Sequence, residues 1–171
     1  VQLSYVFQKL QRWAEARNVL EAAVAFHNAA ARQKASLFHQ TQEAIIEQHR
    51  APTAEEKTRL AAMERDFQEE AATTLQLQFR TAALNADQGE SDKAVRTFEE
   101  AVDFAGFIFG WDSPEAADAR RENAKLLVKL QEYGKARQQL ESANDVYRLV
   151  YGPTDQRAAE VLAELKRLQH R

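Results

Sequence analysis

The chain repeats itself at a fixed interval, and that narrows its possible folds more than any other feature. Ala94, Phe98 and Ala101 recur 42 residues on as Ala136, Leu140 and Ala143. The same offset carries Phe104 onto Val146, Phe107 onto Leu149, Ile108 onto Val150, Phe109 onto Tyr151 and Gly110 onto Gly152, and Ala116 and Ala117 onto Ala158 and Ala159. A period of this length marks stacked supersecondary units, none of which buries its apolar face alone. Within each triplet the spacing is helical, because residues three and four apart share one face. The small alanines on either side of the large side chain let a second helix come close.

Punctuation agrees with helices throughout. The 171 residues hold five glycines and three prolines, and four of the glycines fall at helix-end or turn positions. No run of alternating β-branched residues bounded by turn signals appears, so no strand is assigned. The reading is all-α: an antiparallel helix-hairpin array, preceded by a long helical hairpin. With 44% hydrophobic residues and a formal net charge of −3, the chain can offset the entropy of ordering. A pI near 5.9 argues against a nucleic-acid partner held through its phosphates. The absence of cysteine removes disulfides, thiol nucleophiles and thiolate metal sites together. The most apolar run, Val102 to Trp111, includes Asp103 and falls short of the roughly 20 residues that span a bilayer.

The boundaries follow from local signals. Leu3 to Leu10 reads as helix interior, and Val1 stands where an initiator methionine would be, so the expectation is a processed or excised fragment. A cytoplasmic location is expected, or an organelle interior after removal of a transit peptide. Trp13, Ala16, Leu20 and Ala23 form another small-large-small face, at a different offset. From there Ala23/Val24, Ala30/Ala31, Leu37/Phe38 and Ala44/Ile45 step by seven without Gly or Pro, giving one helix over about Ala14 to His49. Pro52 breaks it, and Thr53 with Glu56 forms a capping box for a second long helix from Ala54 to Asp87, carrying Leu60, Phe67, Thr74 and Thr81. At about 1.5 Å per residue each helix is on the order of 50 Å long, so part of the hairpin is expected to project. It would pair through Ala23, Ala30, Leu37 and Ala44 against Leu60, Phe67 and Thr74, leaving Phe38, Ile45, Ile46 and Met63 exposed near the tip. A kink near Lys34 to Ser36 that folds the segment back is the competing account. Ser91 or Asp92 opens the next helix, Ser113-Pro114 the one after, Tyr133 its partner, and Thr154 or Asp155 the last. The domain expectation is one repeat domain over 1–171: a partial helix at 1–13, the hairpin at 14–87, regular units at 91–151 and a capping helix at 154–171.

The short turns Gln88-Gly89-Glu90-Ser91 and Gln131-Glu132-Tyr133-Gly134 precede the two triplets, and Tyr133, Ala136, Leu140 and Ala143 stand in one order. That pattern resembles the tetratricopeptide repeat. The junction Gly110-Trp111-Asp112-Ser113-Pro114 with its 42-residue period is similar to the longer repeat of kinesin light chains, over about residues 75–171. Asn123 departs from the family, which has an apolar residue there. The resemblance implies a right-handed superhelix whose first helices line a concave groove. It implies a protein-interaction scaffold or adaptor, alone or within a multi-subunit complex, with no catalysis and no cofactor. A regulatory module that senses a peptide or small ligand is the alternative. On this resemblance the partner-binding residues are Phe79, Arg80, Arg121, Lys125, Lys129 and Arg167, with Ala83, Asp118, Glu122 and Glu164 beside them. Such a basic stripe favours an acidic peptide or a carboxylate terminus. The plainer account pairs Arg121 and Lys125 with Asp118, Glu122 and Glu132.

Other chemistry is thin. His39 and Glu43 lie one helical turn apart, but a metal-protease helix needs a second histidine, and the pair reads as a solvated face. His27 reads as a packing residue, and His49 and His170 as helix C-terminal residues. No Ser-His-Asp order with a strand-turn-helix elbow and no glycine-rich phosphate loop occurs. The aromatics Phe104, Phe107, Phe109 and Trp111 align with apolar residues of the next unit and are expected to pack between repeats, Trp111 least clearly because it aligns with Pro153.

Overall fold

The computed structural model describes residues 12–168; the helix expected over Leu3 to Leu10, and His170, lie outside them. Six helices run through the described residues: α1 (Trp13–Ile46), α2 (Ala54–Asp87), α3 (Ser91–Phe109), α4 (Pro114–Lys129), α5 (Tyr133–Tyr151) and α6 (Gln156–Leu168). The chain is an all-α array of antiparallel helix hairpins, with no strand among the described residues. None of these helices is long and apolar enough to cross a membrane. Two compact units form, Val1–Leu77 and Gln78–Arg171, with α2 passing from one into the other.

In the first unit, α1 and α2 are each an unbroken helix of 34 residues, so the kink near Lys34 is not what forms. His49 takes a left-handed conformation and ends the α1 turn. The capping box then forms in both directions: Glu56 N donates to Thr53 Oγ1 at 3.2 Å, and Thr53 N donates to Glu56 Oε2 at 2.8 Å. Arg50 grips the same carboxylate through both terminal nitrogens, at 2.8 and 2.7 Å, and these contacts lower the Glu56 pKa to about 2. The pairing is antiparallel. The Phe38 and Phe67 rings lie 5.3 Å apart, Lys34 Nζ reaches Asp66 and Glu70 at 3.0 and 2.9 Å, and His27 Nδ1 meets Glu70 Oε1.

The buried stripe differs from the expected one. Ala31, Ala35, Phe38 and Ile45 face inward against Phe67, Ala71 and Thr74, while Leu37 is 55% exposed and Ala44 is on the surface. Phe38 and Ile45 are therefore core residues, Met63 is half-buried, and of the tip residues Ile46 alone is exposed as expected. Adjacent residues sit about 100° apart on a helix, so a step of seven fits either member of each apolar pair. Burying Phe38 and Ile45 removes more apolar area from water than burying Leu37 and Ala44.

In the second unit the 42-residue period is written into the backbone. Leu84, Asn85 and Ala86 accept from Gln88, Glu90 and Gly89 at 3.2, 2.9 and 3.0 Å; Leu126, Leu127 and Val128 accept from Leu130, Glu132 and Gln131 at 3.0, 2.9 and 3.1 Å. Gly89 and Gln131, 42 apart, are both left-handed, with φ of 77° and 64°. Gly110 and Gly152 end α3 and α5 with φ of 96° and 94°. Ser113 Oγ accepts from Ala116 N at 3.1 Å with Pro114 first in α4, and Asp155 Oδ1 accepts from Arg157 N at 2.8 Å just before α6.

The core repeats in the same register. Ala82, Ala94, Phe98 and Leu126 pack together, and each residue 42 further on, Ala124, Ala136, Leu140 and Leu168, belongs to the neighbouring cluster with Ala143, Tyr147 and Val161. Zero-exposure alanines at 94, 101, 136 and 143 carry the close helix contacts. Asn123 is buried with its Oδ1 unpartnered among the described residues, a polar group in an otherwise apolar interior. The aromatic run is only partly interior. Phe104 is buried with its counterpart Val146, but Phe107 and Leu149 are 68% and 73% exposed, and Trp111 is also exposed. An alignment of apolar with apolar residues does not distinguish two buried positions from two exposed ones.

Candidate partner-binding groove

The first helices of successive hairpins, α4 and α6, flank the second helix α5, and a depression of about 300 Å³ lies among them. Its apolar lining is Ala124 and Val128 of α4, Leu140 of α5 and Leu168 of α6; Lys125, Glu164 and Arg167 supply the polar part. The helical period explains the arrangement. Residues 124, 125 and 128 share one side of α4, as 164, 167 and 168 do on α6. Leu140 forms part of this surface because the alanines beside it let α5 lie close.

The expected residues separate on inspection. Lys125 and Arg167 are brought together here, both exposed. Arg121 is not a free cation: Nε and Nη2 donate to Glu164 Oε1 at 3.1 and 2.6 Å, and Nη2 also donates to Glu160 Oε2 at 3.0 Å. Those bonds, Glu164's first, raise the pKa of a guanidinium already only 19% exposed. Gln156 and then Arg121 hold the Glu160 carboxyl below its ordinary value. Lys125 contacts Glu122 at 2.5 Å across a solvated surface. Phe79 is half-buried and stacks on Phe98 with centroids 5.5 Å apart, and it does not line the depression. Arg80, Lys129 and Ala83 are exposed, and none of them lines the depression. The stripe is thus mixed in sign, with Arg121 neutralised from α6 rather than from Asp118 or Glu122.

Asp118 has another role. It accepts from Tyr147 Oη at 2.5 Å, tying α4 to α5; burial, then this bond, pushes the phenol pKa up. Leu140, Val128 and Leu168 are groove residues that reasoning from charge missed. The repeated large residue of the small-large-small face was the signal for Leu140. His39 and Glu43 are both exposed on α1.

No family model matches the chain, and no curated protein matches it. Among solved structures it is similar to the crystal structure of BtubC (BKLC) from P. vanneervenii, with a TM-score of 0.50 at 18% identity. That match covers 88% of this chain, which spans 66% of the other. What the two share is the fold, an array of helix hairpins.

Proposed function

We propose that this chain is a non-catalytic protein-interaction scaffold of the tetratricopeptide type, which holds a partner's peptide segment in the groove between α4 and α6. The observation that supports it is the apolar floor of Ala124, Val128, Leu140 and Leu168 set beside two exposed cations, Lys125 and Arg167. Such a depression takes an apolar side chain whose neighbours carry carboxylate. The repeated small-large-small face and the 42-residue register support the family reading. In this reading α6 caps the array: Ala159 and Lys166 are exposed at positions where α4 buries Ala117 and Ala124.

Affinity capture on the purified chain, with Lys125→Glu/Arg167→Glu as the comparison, tests this reading. The parent is expected to retain a partner that the double variant releases at unchanged helicity. A partner held equally by both variants at raised salt sinks the groove as its binding site.

A further inference from the structure

The second unit breaks its own period at three positions that act together. Gly106, Trp111 and Arg120 stand where the following hairpin has Arg148, Pro153 and Leu162. The indole of Trp111 lies over Gly106, where a β-carbon would fall 2.4 Å from Cε3 and 2.6 Å from Cδ2. Arg120 Nη1 donates to the Trp111 carbonyl oxygen at 2.9 Å, and its guanidinium sits 5.8 Å from the ring centroid. Glycine inside a helix costs on the order of 1 kcal/mol relative to alanine, and here it forms a seat for the ring. Trp111 is nevertheless 52% exposed. The trio fixes an indole in place without hiding it.

Its surroundings have a definite chemistry. Asp103, Gly106 and Phe107 are neighbours on one face of α3, with Glu99 and Glu100 one turn before them. Phe107 is more exposed than Trp111, and the two rings end a row of three exposed carboxylates. Glu99, Glu100 and Asp103 have no ion-pair partner among the described residues, unlike Glu56, Glu70, Glu122 and Glu164. Arg96, the cation nearest in sequence, turns its Nε to the carbonyl of Asp92.

We infer that this face of α3 docks an arginine-bearing segment of a partner protein, with a guanidinium on the exposed Phe107 ring, beside the indole that Arg120 already covers, and its N–H groups on Asp103. Charge complementarity selects that occupant. An acidic or wholly apolar segment would desolvate three carboxylates without pairing them. Arginine both stacks on an aromatic face and forks onto a carboxylate, which a lysine ammonium does not do. Glu99 and Glu100 meet a second basic residue one turn along. The next hairpin repeats the spacing as Glu141, Asp145 and Leu149 but has Arg148 in place of the glycine seat and no indole, so it serves as an internal control.

The test uses a Trp13→Phe background, in which Trp111 is the sole tryptophan emitter, titrated with a short peptide alternating arginine and leucine. Lysine and glutamate versions of the peptide are run beside it. The expected result is a saturable change in Trp111 emission with the arginine peptide, weaker with lysine and absent with glutamate. Asp103→Lys and Phe107→Ser, both at exposed positions, should each weaken binding about tenfold. The groove variant Lys125→Glu/Arg167→Glu should bind the peptide as the parent does, so failure of one site is distinguishable from failure of the other. The proposal is overturned by no saturable response, by equal affinity for the lysine peptide, or by unchanged affinity in both α3 variants. It is likewise overturned if Asp145→Lys/Leu149→Ser weakens binding as much as they do.

Discussion

Gly106→Ala adds one methyl group to a helix that would ordinarily welcome it. Alanine gains about 1 kcal/mol over glycine in a helix interior, so propensity alone says the variant is more stable. Packing opposes this, because the new carbon would lie 2.4 to 2.7 Å from three ring carbons of Trp111. The ring must move. Trp111 is 52% exposed, so about half of a surface of up to roughly 250 Å² is covered, worth about 3 kcal/mol at ~25 cal/mol/Å² as an upper bound. Losing the Arg120 contact removes about 0.5 to 1 kcal/mol more. Packing outweighs propensity, and the net loss is at most about 3 kcal/mol, a fall in Tm of up to roughly 6 to 12 °C for a chain of this size. Thermal unfolding followed by circular dichroism gives the shift, and iodide quenching of Trp111 in the Trp13→Phe background reports the displaced ring. An equal or higher Tm with unchanged quenching would refute the argument, since the indole would then not rest on Gly106.

Gln131 occupies the left-handed position that Gly89 fills one unit earlier. A non-glycine residue there costs about 1 kcal/mol, partly offset by the greater freedom of glycine in the unfolded chain, so Gln131→Gly should raise Tm by about 1 to 3 °C and Gln131→Val should lower it. A lower Tm for the glycine variant contradicts the assignment. Lys34 first, then His27, hold the Glu70 carboxyl below its ordinary 4.5, so its folded pKa is depressed. The stability it contributes is full above the unfolded value and drains away as pH falls through the folded one. Acid should therefore lower the Tm of the parent more than that of Glu70→Gln between neutral pH and pH of about 3, and parallel curves would exclude the coupling.

The regular part of the fold was legible because the signals were local and redundant. The Thr53–Glu56 box, Ser113-Pro114 and the glycines at 110 and 152 each fix a backbone end by themselves. The inward face of α1 was not legible, since a seven-residue step fits Leu37 and Phe38 equally and tertiary contact with Phe67 decides. Charge in the groove misled for a related reason. Arg121 meets carboxylates 39 and 43 residues away on α6, beyond any i, i+4 rule. The seat of Trp111 was hidden in a missing side chain: Gly106 is a glycine in mid-helix, away from either end of α3, and nothing in its sequence neighbourhood shows the ring it receives.

The turns around residues 84–94 and 126–136 make the same backbone bonds, down to Ala94 N on Glu90 O and Ala136 N on Glu132 O, each at 3.0 Å. In genetic terms they are interchangeable crossover points. Unequal recombination of the coding sequence between them deletes or adds one 42-residue unit without creating a new junction, because the alanines and large apolar residues on either side meet partners of a kind already present. The length of such an array is therefore a heritable variable of its own, able to change in a single event while the turn and the small-large-small register of the core are kept.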